Sequence, residues 1–313
     1  MQRSGKTKSE RHHWWPECVS QHWKNEDGKV HWLLPNGEVK TAPPKQFGCI
    51  GNGHYIKLGR NAGEVTVWDQ NFEPIFDNAD NCFPSVISWL QALDRKDVPD
   101  AKTLAERYIP QNASDDKIAQ LVESIVSLAI RCPMHRETAV ITAEVIRGGA
   151  RLPERERNAL ITLNMRDSHQ RTVSLIGTKG KFVILYSPSR EFIFGDGFCH
   201  NIRSPVQFQL HDPKILVPIT PEISVLYTRP RQYATEPRLF TFVLKPEEAD
   251  VLNSAVQIYS RNCIFYRSEK PTIIPDYAGG EHMSYADINN PVDTLIHAIP
   301  GVRNNQACFL WNM

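Results

Sequence analysis

Three kinds of residue, at five positions, raise the question of chemistry. His12 and His13 stand together near the start of the chain, Arg131 precedes Cys-Pro, His169 lies in a long polar stretch, and Asp196 follows Phe192-Ile-Phe-Gly. Imidazole is the side chain best suited to proton transfer near neutral pH. A carboxylate beside it fixes its tautomer and raises its pKa. Arginine cannot act as a base, but its guanidinium grips phosphate through parallel N–H bonds and stabilises developing negative charge. His13 with Asp196 as an acid–base pair, Arg131 as anion binder, and His12 and His169 as further bases form a set able to cleave a phosphodiester. The same residues admit a structural reading. His13 would then cap a buried carbonyl, and Arg131 would pair with Asp196 inside the core.

Three further groups carry possible chemistry. Six arginines from Arg147 to Arg171 face Glu154, Glu156 and Asp167, a local excess of positive charge. Arg155 and Arg166 are eleven residues apart and share a helical face. That face can line an anionic groove or stand as a solvated surface with i,i+4 pairs. Trp14, Trp15, Trp23 and Trp32 cluster among basic residues, where they can stack nucleobases or bury the N-terminal element. Cys18 and His22 have the spacing of half a zinc site, but no second half is visible, so no metal site is predicted.

The composition limits the classes. The chain has 313 residues, with 36 Lys+Arg against 35 Asp+Glu and a net charge of +1, which excludes a globally basic nucleic-acid coat but not a local basic groove. The longest apolar runs are far short of the roughly 20 residues that span a bilayer, so no membrane segment is predicted. The polar N-terminus shows no secretory h-region. Seven cysteines at irregular spacing, with no CxxC pair, read as reduced thiols of a cytoplasmic protein. No P-loop, Rossmann GxGxxG or GxSxG elbow is present, and the cofactor is left open.

The elements that must position these residues follow from periodicity. Residues 1–13 read as a basic flexible arm, and residues 14–268 as a single α+β domain. Its helical part covers residues 70–177 and its sheet part 178–268, followed by an irregular tail, 269–313. Pro35-Asn-Gly37 between apolar runs predicts a hairpin, and Val65–Trp68 reads as a strand. A helix around residues 72–93 is expected to break before Pro84. Ser114 caps a helix whose Ile118, Leu121, Val122, Ile125, Leu128 and Ala129 recur on one face. Helices over 135–147 and 154–176 follow. After Gly177, short β-branched runs at 182–186, 191–194, 215–219, 223–227 and 239–243 predict a mostly antiparallel sheet. A helix opens at Lys245-Pro, and a short one lies near 292–298. The fold class is therefore α+β, a helical middle packed on a mostly antiparallel C-terminal sheet.

This order of signals resembles the DUF4238 family of microbial proteins. The carrying residues are His12-His13-Trp-Trp-Pro16, Arg131-Cys-Pro133, His169, Phe192-Ile-Phe-Gly-Asp196 at a hairpin end, Leu216-Val-Pro-Ile-Thr-Pro221 and Asn253 in the last long helix. The resemblance spans roughly residues 11–268. The chain departs from the pattern at Gly195 and Thr220, where the family favours Ser, and at Phe198, where it favours Pro. The resemblance implies a fold grouping, no established activity, and a place for Asn253 among the substrate-binding candidates beside Arg131, Arg155 and Arg166.

Two functions follow as expectations. One is a phosphodiester-acting, nuclease-like enzyme of a microbial toxin or anti-phage defence setting. The other is a non-catalytic module that binds nucleic acid or protein in a defence or regulatory system. If His13, Arg131 and Asp196 lie more than about 10 Å apart they cannot share one hydrogen-bonded site.

Overall fold

The structure, a computed structural model, describes residues 11–46, 48–51, 55–56, 70–71, 73–202, 212–280 and 290–303. The N-terminal part comprises β1 (Arg11–His13), α1 (Glu17–Ser20), β2 (Val30–Leu33), β3 (Val39–Ala42), β4 (Cys49–Gly51), β5 (Tyr55–Ile56) and β6 (Gln70–Asn71). The middle contains α2 (Asp77–Ala92), β7 (Ile109–Gln111), α3 (Asp115–Arg131), α4 (Pro133–Ile146) and α5 (Glu154–Ile176). Then come β8 (Lys181–Tyr186), β9 (Phe194–Gly195), β10 (Cys199–His200), β11 (Lys214–Thr220), β12 (Ile223–Thr228) and β13 (Leu239–Val243). The last elements are α6 (Pro246–Tyr259), β14 (Ile264–Tyr266), α7 (Pro275–Ala278) and α8 (Pro291–Ala298). The fold is α+β, as expected.

The main sheet runs β10-β11-β12-β8-β13-β7 and is antiparallel except for the parallel pair β8–β13. Every residue of β8 is buried, because both faces of the sheet are covered. The period of two sorts its side chains into two cores. Phe182, Ile184 and Tyr186 join Val217, Val225 and the apolar faces of α2, α3 and α5. Val183 and Leu185 join Leu226, Phe240, Phe242 and the inner faces of α6 and α8. A smaller antiparallel sheet, β3-β2-β14-β9, carries the predicted N-terminal hairpin. Against it stack Trp14, Trp15 and Trp23, with the Trp15 and Phe194 rings nearly parallel and their centroids 4.1 Å apart. Burial is thus the role of these three tryptophans, and the N-terminal element lies against the Asp196 strand end.

Several sequence expectations need correction. The helix α2 continues through Pro84. The proline has no N–H to offer Asp80, and the freed Asp80 carbonyl accepts the Cys18 thiol instead, at 3.7 Å. The helix expected over 135–147 starts two residues earlier, at Pro133, which takes the first position of α4, with extended Cys132 capping both α3 and α4. Residues 191–193 form no strand. Their backbone groups are taken by Asn253 and Pro221, and β9 pairs with β14 rather than closing a local hairpin. The sheet also recruits β7 from the helical middle, and α8 of the tail is packed into the second core. At the start of the chain, Arg11–His13 is paired with Cys49–Gly51. The expected strand at 65–68 and arm residues 1–10 lie outside the described residues.

Candidate functional site

The corner between α3 and α4 gathers most of the expected residues, and it shows what each is occupied with. Arg131 ends α3 with 0% exposure. Its Nε and Nη2 donate to the His13 carbonyl at 3.1 and 2.7 Å. Its Nη1 and Nη2 donate to the Asp80 carboxylate at 2.6 and 3.1 Å, and Nη1 also donates to Ser127 Oγ at 3.2 Å. A guanidinium has five N–H donors, and these bonds engage all of them. Its flat face rests on Phe76, 4.7 Å from the ring centroid. No donor remains for a phosphate. The expected partner of Arg131, Asp196, is replaced by Asp80, which α2 brings across from 51 positions away.

Asp196 is buried on the other side of the same corner. Its carboxylate accepts from Arg261 N at 2.8 Å, Asn262 N at 3.0 Å and Asn262 Nδ2 at 2.8 Å. Its carbonyl accepts from Met134 N, tying the loop to the first turn of α4. Burial raises its pKa against the pull of those N–H bonds. The carboxylate therefore serves the turn after α6. A Cβ at Gly195 would run into Ser260 Oγ, and one at Gly197 into the Tyr259 carbonyl. That close approach accounts for glycine at 195.

His13 contributes its carbonyl to Arg131, and His12 lies beside it in β1, opposite Ile50. His169 lies in α5, buried edge-on against Phe76 at 5.0 Å. Its Nε2 is 3.5 Å from Glu123 Oε1 of α3, too long and misaligned for a hydrogen bond, and neither ring nitrogen has a partner among the described residues. Burial, reinforced by Arg131, lowers its pKa to about 4, while burial raises that of Glu123. Both members of this pair are thus driven towards their neutral forms.

The remaining expected residues are scattered. Asn253 on α6 accepts from Ile193 N at 3.0 Å and donates to the Glu191 carbonyl at 2.9 Å, which makes it a clamp for the loop entering β9. Arg155 is half-buried on α5, and Arg166 lies 3.4 Å from its neighbour Asp167. Arg157 is paired with Glu137 and Glu144, and Arg147 approaches Glu156 at 3.5 Å. Burial pushes the pKa of Cys18 up to about 11, and its thiol donates to the Asp80 carbonyl. No cluster of three or more potential metal-ligating His, Cys, Asp or Glu side chains exists among the described residues. None of their helices is long and apolar enough to cross a membrane.

The sequence did not point to the outer surface of α4. Ile141 and Val145, one turn apart, are 50% and 66% exposed, and Ile146 beside them is 78% exposed. The helix closes there on Gly148 and Gly149, both at positive φ, with Gly149 N bonding the Glu144 carbonyl and Gly148 N that of Val145. This turn sets Arg147 and Arg151, both exposed, at the end of the apolar strip. The signal was present in the sequence as apolar residues on the polar side of the helix, but it is meaningful only once the buried face is known.

No family model, curated protein or solved structure matches this chain.

Proposed function

We propose that this chain is a non-catalytic protein-binding module, whose partner presents an acidic amphipathic helix to the outer surface of α4. The carrying observation is the strip Ile141, Val145 and Ile146, bare at 50–78% exposure, with Arg147 and Arg151 at its end. Contiguous exposed aliphatic surface with a charged rim has the anatomy of a protein interface. Spacing of one turn matches the i,i+4 anchors of a docked helix. The strip carries no aromatic ring, which favours protein over single-stranded nucleic acid, where bases stack on aromatic faces. Five described cysteines are free, and we assign the protein to a reducing cytoplasm.

The test is fluorescence anisotropy with a labelled helical peptide bearing Leu on one face and Glu on the other. It is expected to bind with an affinity that falls as salt rises, and to lose binding in Val145→Glu and Ile146→Glu. Equal binding by these variants, or preferential binding of a labelled oligonucleotide through the same surface, overturns the proposal.

A second, catalytic reading is favoured by one observation, the buried His169–Glu123 pair beside Arg131. A buried imidazole kept neutral at pH 7 can accept a proton, and the Glu123 carboxyl beside it has its pKa raised by burial. In this reading the chain is a phosphodiester-acting enzyme with His169 as base. Its test is His169→Ala assayed for nucleolytic activity and melting together. Activity lost at unchanged melting supports it, and a stable variant of unchanged activity removes it.

A further inference from the structure

A cavity of about 320 Å³ lies between α6, the loop 190–193 and the segment 269–274. Its walls are fixed by two amides one turn apart on α6. Asn253 grips the Glu191 carbonyl and Ile193 N, while Gln257 donates to the Thr272 carbonyl at 2.9 Å and accepts from Ile274 N at 3.0 Å. The helix thus staples both bordering segments, and the space between them is formed before any ligand arrives. Preformed walls reduce the ordering cost of binding.

The charges at this cavity are of both signs. Arg190 donates through Nη1 to Glu269. Asp250 Oδ1 lies 3.1 Å from Arg190 Nε, yet off the N–H direction, so this buried N–H has no aligned acceptor among the described residues. Lys270 donates to the Gly37 carbonyl at a long 3.3 Å and has no carboxylate partner among the described residues. The Glu191 carboxylate is held outside this balance by Arg267 and Ser268 N. Two cations, Arg190 and Lys270, therefore face two carboxylates, Asp250 and Glu269, over a floor that includes Ile193 and Ile274.

We propose that this cavity binds a small zwitterion of free amino-acid type. Its carboxylate is taken by Arg190 and Lys270, its ammonium by Asp250 and Glu269, and its side chain by the apolar floor. The volume sits at the low end of the range for ligand pockets, roughly 300–1,000 Å³, which suits a single amino acid and not a nucleotide. A purely anionic ligand would meet two carboxylates, and a purely cationic one two cations. Neither satisfies the misaligned Arg190 N–H together with the exposed acids.

The experiment is calorimetric titration of the full chain with each free L-amino acid at about 10 mM, a concentration that detects millimolar affinity. The best binder is then compared with its N-acetylated and C-amidated forms. The expected result is saturable binding of at least one amino acid, weakened about tenfold or more by either block, which is about 1.4 kcal/mol. Arg190→Ala is expected to abolish it with little change in melting, since an exposed ion pair contributes little. Ser254→Trp, which fills the cavity from α6, tests the same site should Arg190→Ala fail to fold. No binding by any amino acid, equal binding of the blocked forms, or retained affinity in Ser254→Trp overturns the proposal.

Discussion

The two ends of α4 differ in how their chemistry is used. At its N-terminal end, Arg131, Asp196 and the Cys132–Pro133 corner are buried, and their polar atoms are matched to particular backbone and side-chain partners. At its C-terminal end, Ile141, Val145 and Ile146 are turned to solvent beside unburied arginines. A buried charge persists only when paired and hydrogen-bonded, so saturation at the first end marks a structural joint. Exposed aliphatic surface gains nothing from water, which is why the proposed partner is assigned to the second end. Reactive residue types were concentrated at the joint, while the proposed binding surface is built of ordinary Ile and Val.

The sharpest way to break this comparison is to treat the joint as dispensable. Arg131→Ala is expected to destabilise the chain by about 3–5 kcal/mol, because Asp80 and the His13 carbonyl lose a buried partner. Asp80→Ala should cost a similar amount, and the double variant less than the sum, as coupled groups require. Urea unfolding of the four proteins checks this. If both single variants melt like the parent, Arg131 is not a structural joint.

Next in size is an acid effect. His169 has its pKa lowered to about 4 and His135 to about 3, in each case first by burial, with Arg131 adding at His169 and His200 and Arg136 at His135. Both favour the neutral ring in the folded chain. Between the unfolded value of about 6.5 and these lower values the unfolded chain holds more protons, so stability rises with pH there. The contribution is complete above about pH 6.5 and is lost as pH falls towards 4. Melting temperature is expected to drop over that window, and less steeply in His169→Phe. An identical acid slope in that variant would contradict the account.

Asn253→Ala should cost about 1–3 kcal/mol, since the Ile193 N–H and Glu191 carbonyl lose their side-chain partner. Thermal unfolding checks this, and a smaller loss would mean that water replaces the clamp. The smallest effect is expected at the other end of α4. Ile146→Glu should change stability by no more than about 0.5 kcal/mol, as surface substitutions do, while abolishing capture of the acidic peptide. A large loss of stability there would show that Ile146 packs against the chain itself.

How legible this was depended on distance along the chain. The helix α3 was readable because its apolar face and its Ser114 cap are local, and Ser114 Oγ does accept from Lys117 N. The sheet strands were readable as apolar runs, and β13 falls on the residues expected. The continuation of α2 past Pro84 was not, because the freed Asp80 carbonyl finds its donor in the Cys18 thiol, 62 positions away. Arg131, Asp196, His169 and Asn253 were read from the sequence as catalytic or substrate-binding groups; all four are buried, and the partners of the first two, Asp80 for Arg131 and Asn262 for Asp196, come from folding and carry no local pattern. The pairing of β9 with β14 was hidden for the same reason, since two short runs match only when the fold brings them together.

Hydrogen–deuterium exchange of the full chain, with and without the acidic amphipathic peptide, tests the central claim most directly. The account predicts added protection over residues 138–151, and none at Arg131, Asp196 or the turn at 261–262, whose bonds are already made. Protection centred on His169 and Arg131 with the α4 surface unchanged would contradict it.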